Sequence, residues 1–193
     1  MMVLDNNVPA IEPVSLDEAR THLRVDVVGG AHPEDALIGG LISAAREHVE
    51  QNCRIVIAER PLMVAMDAFP SGSIDLGVWP VKSITAVRYE AFPNSYMALP
   101  SSYYALDQFA KPAKVKQLTD WPHSPGGENS VVVELVAGMA EVPKALKQAM
   151  LLLIGHWYEN REAVNVTGSG VVSTELPKGV DALLAPHRLG QGV

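Results

Sequence analysis

The chain has 193 residues, 48% of them hydrophobic and 19% charged, with a formal net charge of −7 and a single cysteine. This composition excludes a disordered polymer, a disulfide-stapled secreted domain and a thiolate zinc cluster, and its acidic balance argues against a general nucleic-acid binder. No uncharged apolar run reaches the ~18 residues that span a bilayer. Met1 to Asn7 lacks the basic-then-apolar layout of a signal peptide, so the expectation is a soluble protein of a reducing cytosol.

Residues 1–14 carry Pro9 and Pro13 without a periodic pattern and read as an extended N-terminal arm. Ser15-Leu16-Asp17-Glu18 has the spacing of a capping box, which predicts a helix from Leu16 to Arg24. The Gly29-Gly30 pair breaks the chain. Pro33 suits the first position of a second helix, where a missing N–H costs nothing. Glu34 and Asp35 favour the positive end of its dipole. Leu37, Ile38, Leu41, Ile42, Ala45 and Val49 then recur at three-four spacing, the mark of a surface helix with one buried face.

The middle of the chain changes period. Arg60 to Asp67, Ile74 to Leu76, Ser83 to Glu90, Tyr103 to Leu106, Ala113 to Leu118 and Ser130 to Val136 read as six short strands punctuated by prolines. Pro143 opens a third helix expected to end near Ala163, with Leu146, Met150, Leu153, Ile154, Trp157 and Tyr158 in one stripe. Leu151 and Leu152 add apolar bulk on the opposite side, so this helix is either central or pressed against another subunit. Asn165 to Gly170 reads as a flexible loop, and Val180 to Leu184 as one apolar turn of helix. The expected fold is α+β. A helical body of two long helices plus short terminal ones (residues 15–58 and 137–164) carries an inserted small antiparallel β module (residues 59–136). A C-terminal tail with a short helix follows (residues 165–193).

Catalytic signatures are missing: no nucleophile elbow, no phosphate loop and no dinucleotide fingerprint occurs, and no catalytic, cofactor or metal residue is assigned. His156 and Glu159 share a helix face, but a metal site would need His48 with Glu47 or Glu50 to converge on them. Cys53 could act as a nucleophile with His48, five residues back, as base and Arg54 beside it, but a lone cysteine here reads far more readily as a small core residue. Tyr103, Tyr104 and Trp121 with Lys111, Lys114 and Lys116 are too thinly basic for a strand-stacking surface and read as packing. Trp157 to Glu162 is the densest constellation of aromatic and charged residues, equally suited to a core edge or an interface. The tail is too apolar for a linker and too short to fold alone, so it packs on its own chain or on a partner. Candidate interface residues are Leu151, Leu152, Trp157, Tyr158, Arg161, Leu176, Val180, Leu183, Leu184 and Arg188.

Ser15 to Arg20 with His22-Leu23-Arg24-Val25, Leu41 to Glu50, Trp79-Pro80-Val81, Tyr104 to Asp107 and Val131 to Gly138 form a familiar series. With Val142-Pro143, Gly155 to Glu162, Leu176 to Val180 and Leu183 to Arg188, it resembles the head–tail connector, or portal adaptor, proteins of tailed phages and prophages. Cys53 departs from the usual turn of such proteins. The resemblance implies a non-catalytic virion component of the neck, made in the bacterial cytoplasm. It implies a ring, typically dodecameric, that joins the portal to tail-completion or terminator proteins and passes DNA without sequence-specific binding. A β-type module for a host or virion ligand, and a small metal-dependent hydrolase, are the competing readings.

Overall fold

A computed structural model describes residues 2–4, 9, 11–26, 30–93, 95–161, 164–167, 170–173 and 178–190. The fold is α+β and divides into two units. Residues 1–11 and 58–140 make a β unit, and residues 12–57 and 141–193 a mainly helical one.

In the β unit, a five-stranded antiparallel sheet runs in the order β1 (Met2–Leu4), β2 (Arg60–Met66), β8 (Val131–Ala137), β4 (Val81–Phe92), β5 (Ser95–Ala98). Strand β8 shows why the alternation folds this way: Val131, Val133, Leu135 and Ala137 are buried while the residues between them are half-exposed. Its register stacks like on like. Val133 lies opposite Val64 on β2 and Val87 on β4, and all three are fully buried. Burial of side chains of this size stabilises by roughly 1.5–3 kcal/mol each. Residues 1–14, read as an arm, include a short edge strand on this sheet.

A second sheet orders β3 (Ile74–Asp75), β7 (Lys114–Gln117) and β6 (Tyr104–Asp107), with Ile74 and Val115 paired and buried. Phe69 stacks on Trp121 at 5.0 Å between centroids and tilts against Tyr89, and the Trp121 indole donates to the Gly72 carbonyl at 2.7 Å. Gly138 adopts φ +137°, and a Cβ there would lie 2.4 Å from the Glu59 Cα, so the two backbones touch where only glycine fits.

The helical unit contains α1 (Leu16–Leu23), α2 (Asp35–Cys53), α3 (Lys144–Glu159) and α4 (Lys178–Leu184). The predicted capping box forms: Ser15 Oγ accepts from the Glu18 amide at 3.1 Å, and Glu18 accepts from the Ser15 amide at 2.8 Å. Pro33 lies in the turn before α2, whose N-cap is Glu34, so that helix starts two residues later than the proline suggests. Helix α3 ends at Glu159, not near Ala163. Asn160 leaves helical geometry, and its amide and side chain both donate to the His156 carbonyl. The segment read as a flexible loop instead pairs β9 (Val164–Thr167) with β10 (Gly170–Ser173), a two-stranded sheet among the described residues. Gly168 and Ser169 lie outside the described residues. The core gathers Ile38, Ile42, Ala45 and Val49 of α2 with Leu146, Met150, Leu153 and Ile154 of α3, and Val180 and Leu184 of α4. No helix among the described residues is long and apolar enough to cross a membrane.

Candidate interaction surface

The dense constellation at the end of α3 is engaged within its own unit. The Tyr158 hydroxyl donates to the Glu34 carboxylate, Arg161 pairs with Glu34 at 2.7 Å, and its guanidinium lies 4.7 Å from the Tyr158 ring centre. The Tyr158 hydroxyl, then Arg161, hold the Glu34 carboxyl below its usual range. The next residue repeats the device: Arg20 of α1 grips Asp35 bidentately and reaches Asp17 at 2.8 Å, lowering the Asp35 carboxyl. Glu34 and Asp35 thus tie the start of α2 to α3 and α1. Deeper in α2, Arg46, 4% exposed, lies 3.0 Å from both Glu12 and Glu50, and Glu50 accepts from the Ile57 amide at 2.7 Å.

The tail also rests on its own chain. Val180 and Leu184 are buried, Arg188 donates to Asn52 and pairs with Asp181, both at 2.9 Å, and the Leu189 amide donates to the Cys53 carbonyl. Cys53 is fully buried beneath it, and burial pushes its thiol up, away from the thiolate that nucleophilic chemistry requires. Of the other candidate interface residues, Leu151, Leu152, Trp157, Tyr158 and Leu183 are half-buried, Arg161 is exposed, and Leu176 lies outside the described residues. His48 meets the Trp157 ring edge-on at 5.9 Å, and no group of three or more metal-ligating side chains occurs among the described residues.

Exposed apolar surface collects in the β unit, at residues that the sequence did not single out as interface candidates. Phe92 is 67% exposed, Tyr96 and Met97 50% each, and Phe109 94%. Phe109 is nevertheless held. Asp107 accepts from its amide at 3.1 Å and from the Ala110 amide at 3.3 Å, and pairs with Lys116 at 2.8 Å, which keeps the Asp107 carboxyl low. Strand β5 escaped prediction because four residues between Pro93 and Pro100 carry too little alternation. The signal present was Phe92 and Tyr96 flanking a Pro-Asn pair, a dipeptide of turn-forming composition.

The described residues form an α+β chain with a strand-rich unit between helical segments and apolar side chains exposed at Phe92, Tyr96, Met97 and Phe109. Residues 124–188 match the family of phage gp6-like head-tail connector proteins. No curated protein sequence matches the chain. Among solved structures, it is similar over its whole length to a chain in the neck of an empty gene transfer agent particle computed with C6 symmetry. The TM-score is 0.79 at 24% identity, with 98% of that chain covered. Chains of the native gene transfer agent virion (TM-score 0.80, 23% identity) and of its neck computed with C12 symmetry (0.76, 23%) are also covered to 98% and cover all of this chain. At these identities the likeness is one of fold. Together with the family match, it supports the reading of the chain as a phage-like head–tail connector protein.

Proposed function

We propose that the protein is a structural adaptor of the virion neck, a ring component that joins the portal to tail-completion proteins around the DNA channel. The carrying observation is the connector-family match over residues 124–188, from ahead of β8 through α3 and α4, combined with a fold shared end to end with gene transfer agent particle chains. Necks computed with C6 and C12 symmetry favour a closed ring of identical chains, with twelve the copy number expected here. The helical unit serves as the body, and the half-buried Leu151, Leu152 and Leu183 with Leu176 are its proposed contacts to neighbouring chains. The role is mechanical and non-catalytic. A net charge of −7 suits a conduit that lets DNA pass without gripping its phosphates.

The test is reconstitution: purified chain mixed with the cognate portal yields rings at the portal's exit in electron micrographs. Portal left bare at saturating protein overturns the assignment. A chain truncated after Asn165 is expected to lose portal attachment, and unchanged attachment removes the tail from the docking surface.

A further inference from the structure

The two ends of the five-stranded sheet carry opposite charge. Arg60, Ala137 and Val81 share one end of the β2, β8 and β4 register, and Met66, Val131 and Tyr89 share the other. The loop between β6 and β7 lies against the first end. Gln108 donates to the Lys82 carbonyl at 3.4 Å, the Ala113 amide donates to the Val78 carbonyl at 3.0 Å, and the Lys111 ammonium lies 4.4 Å from the Trp79 ring centre. Phe109 projects from this loop, and Lys82, Lys111, Lys114 and Lys116 are exposed with it. Between residues 91 and 119 the sequence holds one acid, Asp107. Glu59 and Asp107 pair with Lys82 and Lys116, and Asp75, opposite Lys114 in register, accepts from the Gly77 amide. Among the described residues this leaves Lys111 and Lys114 without an ion-pair partner.

The opposite end is acidic. Asp67, Asp120 and Glu128 are exposed there, and Glu90 is half-buried. The Asn129 amide donates to Asp67 at 3.0 Å, the Glu90 amide donates to the Ser130 carbonyl at 2.7 Å, and Asp120 precedes the Trp121 ring stacked on Phe69. Arg88 of β4 already pairs with Glu134 at 3.2 Å. Aromatic surface is open here too: Tyr96 lies opposite Glu90, and Phe92 follows two residues on. Strand β8 joins the two ends and is seven residues long, about 20 Å. The Debye length at physiological salt is about 8 Å, so neither end neutralises the other within one chain.

We propose that the Phe109 loop of one copy docks on the acidic end of the next copy's β unit, with Lys111 and Lys114 facing Asp67, Asp120 and Glu128. Phe109 then packs against Phe92 and Tyr96. The proposal rests on the ring reading above and specifies one of its contacts. Charge complementarity selects a second copy, because both signs are present in one sequence and remain apart in one molecule. The two surfaces differ, so the contact is heterologous and propagates from copy to copy, as ring closure requires. An exposed phenyl ring gains from aromatic partners, which Phe92 and Tyr96 supply and a duplex's phosphates do not. The Asp107 bonds order the loop before contact, which lowers the cost of docking.

The experiment follows the full chain, with and without the cognate portal, by sedimentation velocity and native mass spectrometry over a concentration series. Wild-type assembly is expected to weaken as salt rises. Phe109→Ala, at a side chain 94% exposed, is expected to weaken assembly about tenfold at an unchanged melting temperature. A chain carrying Lys111→Glu with Lys114→Glu, and one carrying Asp120→Lys with Glu128→Lys, are each expected to lose assembly alone. Mixed in equal amounts they are expected to assemble again in alternation, because every end then meets the opposite charge. Folded variants that assemble as wild type does, or a mixture that assembles no better than its parts, overturn the contact and leave the connector reading standing. Where a reversed chain melts early, Phe109→Ala decides, and rings formed equally well by it overturn the contact. Duplex DNA held by wild type and released by Lys111→Glu with Lys114→Glu, with rings intact, assigns the lysines to DNA and also overturns it. A wild-type chain that forms no ring under any of these conditions overturns the contact and counts against the ring itself.

Discussion

The helical unit and the β unit are stabilised by different means. In the helical unit, charged pairs fasten one element to another: Arg20 to Asp35, Arg161 and Tyr158 to Glu34, Arg46 to Glu12 and Glu50, Lys147 to Glu18. The β unit depends on strand ladders, a buried core around Val64, Val87 and Val133 and an aromatic stack, and it also carries most of the exposed large apolar side chains. Of the nine large hydrophobic side chains exposed among the described residues, eight lie in the β unit, Leu37 being the exception. A protein that must fold first and assemble afterwards gains from this division. One unit spends its apolar surface inward and locks its helices with directional pairs, while the other keeps apolar surface available on ladders that hold their shape without it.

The sharpest way to break this contrast is to remove a charge that the helical unit buries. Arg46→Ala takes the guanidinium from Glu12 and Glu50 and should cost about 3–5 kcal/mol. Urea unfolding followed by far-UV circular dichroism would register it, and a loss below about 1 kcal/mol would show that the pair is not structural. In the β unit the corresponding weak point is backbone geometry. Gly138→Ala meets Glu59 backbone and a positive φ, so a loss on the order of 3 kcal/mol is expected in the transition reported by Trp79 and Trp121 fluorescence in a Trp157→Phe background, which removes the helical unit's tryptophan. Ser15→Ala removes the cap of α1 and should cost only ~1 kcal/mol, read as a small drop in the urea midpoint.

Acid gives the gentlest test. Glu18, Glu34 and Asp35 all have lowered carboxyl pKa values in the helical unit, against Asp107 in the β unit. A group depressed on folding contributes its stability above the unfolded value near 4 and loses it as pH falls through the folded value. Helical ellipticity should therefore fade at a higher pH than the β unit's tryptophan signal. The reverse order would remove the charged pairs from the explanation.

Local patterns were legible wherever one residue's chemistry decides the backbone. The Ser15 to Glu18 capping box forms as read, the stripe read from Leu37 to Val49 is buried from Ile38 onward with Leu37 left exposed, and the strand read over Ser130 to Val136 forms one residue later, over Val131–Ala137. Boundaries set by a single side chain were not. Asn160 ends α3 through a bond back to His156, which no periodicity encodes. Nor does the sequence say which apolar residues stay outside. Trp157 and Tyr158 are equally suited by sequence to a core edge or an interface, and His48, Glu34 and Arg161 come to them from positions far apart in the chain or across a helix end. Phe109 carries no pattern that places it, and it is 94% exposed in a loop shaped by two amides bound to Asp107.

The contact between Gly138 and Glu59 has a consequence for how freely this chain can change. The 83-residue stretch from Ala58 to Ala140 departs and returns at points whose backbones nearly touch, so its two ends are already closed on each other. Loop-closure entropy grows only logarithmically, and doubling such an insertion costs about 0.6 kcal/mol. The stretch therefore behaves as an exchangeable cassette: a β unit of another size or sequence could replace it at little thermodynamic cost, provided that its ends meet as these do and that β1 still finds an edge to join.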